Sequence, residues 1–171
     1  MKQEKWLSPE LTGGRKGGET RDLNLHFGLD IEKALVTGGP LHGAAFDEDK
    51  CFDSQVREII FGILAKLSGA ATNLQFANFL DSQAQFYKKL RRGFRYGRSW
   101  GEFWNSQTSI GQGCAISMIY INSTVEGWKR YICSKVPGIK PRAFVADRSM
   151  RHGETQGVQD GLDAVSYTHL T

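Results

Sequence analysis

Two short apolar runs that end in carboxylates constrain this chain most. One is Leu41–Phe46, followed by Asp47, Glu48 and Asp49; the other is RAFVAD at residues 142–147. Each is brief and apolar and suits a buried strand better than a helix. A strand that ends by projecting a carboxylate beyond its sheet offers a hard oxygen ligand, but one carboxylate does not make a site. The expectation is therefore spatial: two acid-tipped strands, distant along the chain, lie side by side.

Between and around them the pattern is helical. Val56, Ile59, Ile60, Ile63, Leu64 and Leu67 repeat at helical spacing, with Ser54 as the expected cap and Gly69 as the stop. A flexible basic loop, TGGRKGGET, feeds a helix of about three turns through Leu23, Leu25, Phe27, Leu29, Ile31 and Leu35. A further helical segment covers Leu74–Phe79, and another runs from Ala115 to Ile132. The stretch FYKKLRRGFRYGRSWGEFW reads as strand and hairpin, with most of its rings and the tryptophans Trp6, Trp100, Trp104 and Trp128 in the core or a groove. A turn is expected at Arg148–Met150. This mixture of helices and strands is an α+β fold.

Composition narrows the function. At 171 residues and 40% hydrophobic, the chain has core enough for one ordinary domain and is not a disordered chain. Its longest apolar run, Ile59–Ala65, is far too short to span a bilayer. The start, MKQEKWLSPE, lacks the apolar stretch of a secretory signal, and Cys51, Cys114 and Cys133 are odd in number and widely spaced. These features point to an intracellular setting and to no membrane partner. The formal charge of +4 is concentrated: KKLRRGFRYGR, residues 88–98, carries six basic side chains and no acid. Such a run is either a solvated surface hairpin or a contact for a phosphate backbone. No Cys or His spacing supports zinc, the histidines have no partners for a hydrolytic triad, and the glycine-rich loop lacks the spacing of a nucleotide hydrolase.

Four segments carry a family resemblance. FDEDKCFDS resembles the first palm motif of reverse transcriptases, an Asp followed five residues later by an aromatic and then a second Asp. SIGQGCAIS is similar to their second motif, AFVADRSM to their third, and GGRKGGETRD to the GFRxGRST segment of non-LTR retrotransposon and group II intron-type enzymes. The four stand in the family's order across residues 13–150.

The resemblance implies an RNA-directed DNA polymerase fragment of a retroelement, with RNA template, DNA primer and dNTP as partners and two Mg²⁺ ions as cofactors. It implies a palm in which an antiparallel sheet is backed by the Ser54–Leu67 and Ile116–Ile132 helices. Residues 1–40 would be partial fingers, residues 41–164 the palm with an interleaved fingers hairpin, and residues 165–171 an adapter-like tail. A thumb would be absent and the natural frame would continue beyond Ala164. Asp47 and Asp147 would be catalytic metal ligands, with the Glu48 carbonyl on the same ions. Phe52 would sit beneath the incoming sugar and exclude a ribose 2′-hydroxyl, and Gln112 and Gly113 would floor the nucleotide. Arg15, Lys16, Lys88, Lys89, Arg91, Arg92, Arg95 and Arg98 would contact nucleic-acid phosphates. One departure stands out: Ala146 occupies the position of the third motif's first aspartate, so this copy is expected to be inactive. Two other readings remain, a catalytically dead nucleic-acid-binding domain and a decayed gene copy.

Overall fold

Apolar residues at 23, 25, 27, 29 and 31 alternate as in a strand, yet the chain there is helical. Its ends explain why. The Glu19 N–H donates to Asp22 at 2.8 Å in a capping box, and Gly38 closes the far end at φ 65°. The computed structural model describes residues 7–14, 16–114 and 116–167. Its elements are α1 (Thr20–Thr37), β1 (His42–Phe46), α2 (Cys51–Ser54), α3 (Arg57–Ala70), α4 (Leu74–Lys89), β2 (Arg91–Arg92), β3 (Arg95–Tyr96), β4 (Ser99–Trp100), β5 (Trp104–Asn105), α5 (Ser117–Lys135), β6 (Arg142–Phe144), β7 (Asp147–His152) and α6 (Thr155–Tyr167). They divide into two units, Met1–Asp49 with Met118–Thr171, and Lys50–Ser117.

In the first unit β1, β7 and β6 form an antiparallel sheet with β7 at its centre. One sheet face packs on helices: Ala44, Phe46 and Met150 meet Trp128, Ile132 and Val136 of α5 and its C-terminal extension, Ile139, and Leu162 and Val165 of α6. α6 approaches closely, because a Cβ on Gly161 would lie 2.7 Å from both Met150 Sδ and Ile139 Cδ1. The helices on this face are thus α5 and α6. The expected Ser54–Leu67 helix is α3, which packs against α4 inside the second unit. α6 covers Val165, at the start of the expected tail; residues 168–171 lie outside the described residues.

α1 covers the opposite face. Helical geometry turns Leu23, Phe27 and Asp30 toward the sheet and leaves Leu25, Leu29 and Val36 in solvent, so the alternation buries only part of the apolar set. Arg151 of β7, 1% exposed, pairs with Asp30, donates to the His26 carbonyl at 3.2 Å and lies over the Phe27 ring. Burial holds its pKa below the ordinary guanidinium value.

The chain ahead of α1 is fixed to β6 and α5. Thr12 donates to the Ala143 carbonyl at 3.1 Å, and the Asn122 side chain donates to the Gly13 carbonyl at 2.8 Å. Buried Glu126 accepts from both the backbone and the hydroxyl of Ser8, at 2.9 Å each, and Lys129 donates to Glu10 at 2.6 Å. Burial raises both carboxyl pKa values, but the bonds from Ser8 and Arg130 to Glu126, and from Lys129 to Glu10, outweigh it and hold both below the ordinary value. With the folded pKa depressed, the unfolded chain binds protons first. Their stabilisation is therefore complete above the usual carboxylate range and is lost as pH falls through the folded values. The urea midpoint should drop between about pH 6 and about pH 3, and Glu126→Gln should shrink that drop.

The second unit packs α3 on α4 through Ile60, Leu64, Leu80 and Tyr87. Val56, not Ser54, is the N-cap of α3; the Ser54 hydroxyl donates to the Cys51 carbonyl within the short helix before it. Asn73 caps the start of α4, accepting from Gln75 and Phe76 N–H at 2.9 and 3.2 Å, and the helix runs ten residues past the expected Phe79 with Leu80 and Tyr87 buried along it. Asn73→Ala should cost about 1 kcal/mol of this unit's stability in urea melts. Beyond α4 comes a two-stranded ribbon, β2 against β5 and β3 against β4, turning at Gly97–Arg98. Its rings are not in the core, a correction to the expected packing. Phe94, Tyr96, Trp100 and Trp104 are 77, 92, 58 and 40% exposed, because a ribbon of two strands has no third layer to cover it.

Candidate functional site

The strand pairing decides what the carboxylates share. β1 and β7 run antiparallel with Phe46 opposite Arg148, so one step further along the ladder sets Asp47 across from Asp147. Side chains alternate along each strand, which puts Asp47 with Ala45, and Asp147 with Ser149, on the α1 face. All four line one cleft of about 510 Å³, closed on its other side by Thr20, Leu23, Asn24 and Phe27 of α1. Both carboxylates are exposed at it.

The third-motif segment is the hairpin that presents Asp147. Phe144 pairs with Asp147, leaving Val145 and Ala146 as a two-residue turn. The turn expected at Arg148–Met150 is therefore strand, and the reversal lies three residues earlier. Val145 takes φ 56°, a strained conformation for a β-branched residue. Gly13 backs it: a Cβ there would stand 2.8 Å from Val145 N and Cγ2. The glycine-rich segment ahead of α1 thus lets its backbone pass directly under this turn.

Arg148 is the cleft residue that the sequence reading missed. It is 7% exposed, lies over the Trp128 ring and is ion-paired with Glu48. The pair consumes the Glu48 carboxylate's charge and leaves Asp47 and Asp147 as the acidic groups of the cleft. Reading β7 as a strand would have found Arg148, since alternation separates it from Asp147 and Ser149. Among the described residues, no group of three or more His, Cys, Asp or Glu is arranged to hold a metal ion.

The remaining site candidates belong to the second unit. Phe52, half-buried on α2, accepts at its carbonyl from Ile110 N–H at 2.9 Å. Gln112 and Gly113 are exposed in a turn closed by Cys114 N–H on the Gly111 carbonyl at 3.1 Å, with Gly113 at φ 82°. Buried Tyr87 and Ser117 brace this turn: Gly111 N–H donates to Tyr87 Oη at 3.2 Å, and Ser117 Oγ to the Gly111 carbonyl at 2.6 Å. A second network fixes α2 to the same segment, as Ser109 Oγ donates to Asp53 at 2.9 Å while accepting from Arg92. Buried Arg57 donates to the Ser109 carbonyl at 2.8 Å, its pKa lowered by burial and by Arg92 beside it.

The basic residues divide by environment. Arg92 is half-buried in the Ser109 network, whereas Lys88, Lys89, Arg91, Arg95 and Arg98 are exposed. Lys88 and Lys89 end α4 rather than lying in a hairpin. Arg95 lies over the Trp100 ring. Lys16 is exposed ahead of α1, and Arg15 falls outside the described residues. Among the described residues no helix is long and apolar enough to cross a membrane.

Comparison with known proteins returns no matching family model and no similar curated protein.

Proposed function

We propose that the chain is a reverse-transcriptase-like palm with part of the fingers, derived from an RNA-directed DNA polymerase of a retroelement. The observation that carries this reading is the placement of Asp47 and Asp147 on adjacent antiparallel strands facing one cleft. The donor set fits Mg²⁺, a hard ion held by one or two carboxylates together with substrate phosphates and water. Asp47, Asp147 and the Glu48 carbonyl would hold it. When bound, paired Mg²⁺ ions supply activation of a primer 3′-hydroxyl and charge neutralisation of the triphosphate for in-line displacement.

The chain's own residues do the rest. The Arg148–Glu48 pair anchors the end of β1 to β7, which keeps the two aspartates in register. Phe52 limits the sugar to a deoxyribose, Gln112 and Gly113 support the base and template, and the exposed cations from Lys88 to Arg98 contact phosphates. Ala146 carries a methyl group at the hairpin tip where the family has an oxygen donor, so metal binding is weak and nucleotidyl transfer is lost. That same alanine favours a second reading, in which the chain binds nucleic acid without catalysis.

Mn²⁺ binding to the intact chain, followed by electron paramagnetic resonance, tests the reading. Asp47→Asn and Asp147→Asn should each weaken binding, and Ala146→Asp should strengthen it. In primer extension the natural chain should not exceed an Asp47→Ala control. Mn²⁺ binding indifferent to both asparagine variants would remove the polymerase reading, and clear extension by the natural chain would remove the claim of inactivity.

A further inference from the structure

The sheet face under α1 carries a second hollow, at the end away from the aspartates. It holds about 190 Å³, and its walls include Asp30, Lys33, Lys140, Arg151 and His152, all of the first unit. Arg151 follows Asp147 and Ser149 on the same face of β7, four residues and roughly 13 Å along the strand from Asp147. The two hollows share no lining residue. The charge of this second one is one-sided. Lys33 comes from α1, Lys140 from the connection between α5 and β6, and Arg151 from the central strand, against the single carboxylate of Asp30. Among the described residues no carboxylate pairs with Lys33 or Lys140. Two positive charges are thus left without a counter-charge around one hollow.

Arg151 gives the hollow its fixed part. The residue is 1% exposed; Nη1 serves both Asp30 and the His26 carbonyl, while buried Nε has no partner. A guanidinium presents its donors as a rigid fork, and a buried N–H without an acceptor is costly, so the unused edge calls for an oxygen ligand. His152 is wall and not ligand. Its Nδ1 accepts from Glu154 N–H at 2.9 Å and its Nε2 donates to the Pro137 carbonyl at 3.1 Å, which occupies both ring nitrogens.

The geometry points to a binding site for a compact phosphate dianion, free or as a phosphomonoester, held by Lys33, Lys140 and the Arg151 guanidinium. The charge and the arrangement of the donors select that ligand. Two uncompensated positive charges match a dianion, and a tetrahedral phosphate turns separate oxygens toward cations that arrive from three elements. A lone carboxylate leaves one of those charges unmatched, and a dicarboxylate spreads its oxygens over two centres. The bound anion ties the end of α1 to the α5–β6 connection across β7, so the stability of the chain rises with phosphate by mass action. The inference is independent of Asp47 and Asp147 and stands whether or not they hold metal.

Calorimetric titration and thermal melts of the intact chain with inorganic phosphate and with glycerol 3-phosphate, at an ionic strength held constant with sodium chloride, test it. Phosphate should bind saturably and raise the melting temperature. Lys33→Gln and Lys140→Gln, both at exposed side chains, should each weaken binding at least about tenfold, the low end for a hydrogen bond between charged groups. In Asp30→Ala, phosphate should raise the urea midpoint by more than it does in the natural chain, because the anion takes the place of the missing carboxylate beside Arg151. Binding of glycerol 3-phosphate as tight as that of inorganic phosphate assigns the site to a phosphomonoester, and binding of inorganic phosphate alone assigns it to the free ion. Absence of saturable binding by either overturns the inference, as does equal binding of malonate. So does a melting response to phosphate that persists undiminished when Lys33→Gln and Lys140→Gln are combined, since it would then be the general exclusion of phosphate from protein surfaces.

Discussion

An Asp30→Ala chain should unfold at markedly lower urea than the natural one, with a loss of about 3–5 kcal/mol. The cause is the partner left behind. Arg151 is 1% exposed at the centre of the sheet, and Asp30 supplies the anion that α1 brings to it. Without that carboxylate the guanidinium keeps only the His26 carbonyl and the face of Phe27, and an unpaired buried charge is expensive. The Asp30 side chain is itself 34% exposed, so water will hydrate part of the vacated space and the value should fall at the lower end. Adding Arg151→Met to Asp30→Ala should recover most of the loss, because it removes the stranded charge while keeping the volume. A loss under about 1 kcal/mol in Asp30→Ala would show that the pair contributes little to holding α1 on the sheet.

Met150→Ala should cost about 2–5 kcal/mol by the same measurement. Met150 is 0% exposed, in the middle of β7 and against both backing helices. Its truncation leaves a cavity beneath Gly161, whose missing Cβ is what admits the thioether in the natural chain. The two sites should therefore couple. Gly161→Ala alone overpacks the contact and should cost about 1–3 kcal/mol, offset by the better helix propensity of alanine. In the Met150→Ala background the new methyl fills vacated space, so the double variant should be more stable than the sum of the singles allows. Strict additivity would mean that α6 does not sit on Met150 as described.

Local pattern made some of this legible and left other parts out of reach. β1 and the hairpin strand before Asp147 could be read because brief apolar runs bounded by Gly, Pro or acids have few other uses. That the two aspartates come together was reached through the motif resemblance, not through the runs themselves: the strand that pairs with β1 is β7, which begins at Asp147 where a turn was expected, and β6 lies on the far side of β7. The turn was misplaced because Val145 is a poor turn residue by propensity, and the tertiary support that makes it one, Gly13 beneath it, comes from far away in sequence. The end of α4 was missed because buried Leu80 and Tyr87 carry the helix through a polar stretch. The ribbon's rings were assigned to a core on the assumption of a sheet behind them. Alternation predicts which side chains share a face, and it does not tell whether anything covers that face.

The order of the strands in the chain carries a consequence for biosynthesis. β1 emerges from the ribosome early, but both other strands of its sheet, β6 and β7, are encoded after the whole Lys50–Ser117 unit. At about 5–20 residues per second β1 waits several seconds with its β7-facing edge unmet, while α3 and α4, and the paired strands of the ribbon, already have each other. The inserted unit can therefore mature first during translation, and the two aspartates meet only after the whole of it has been made.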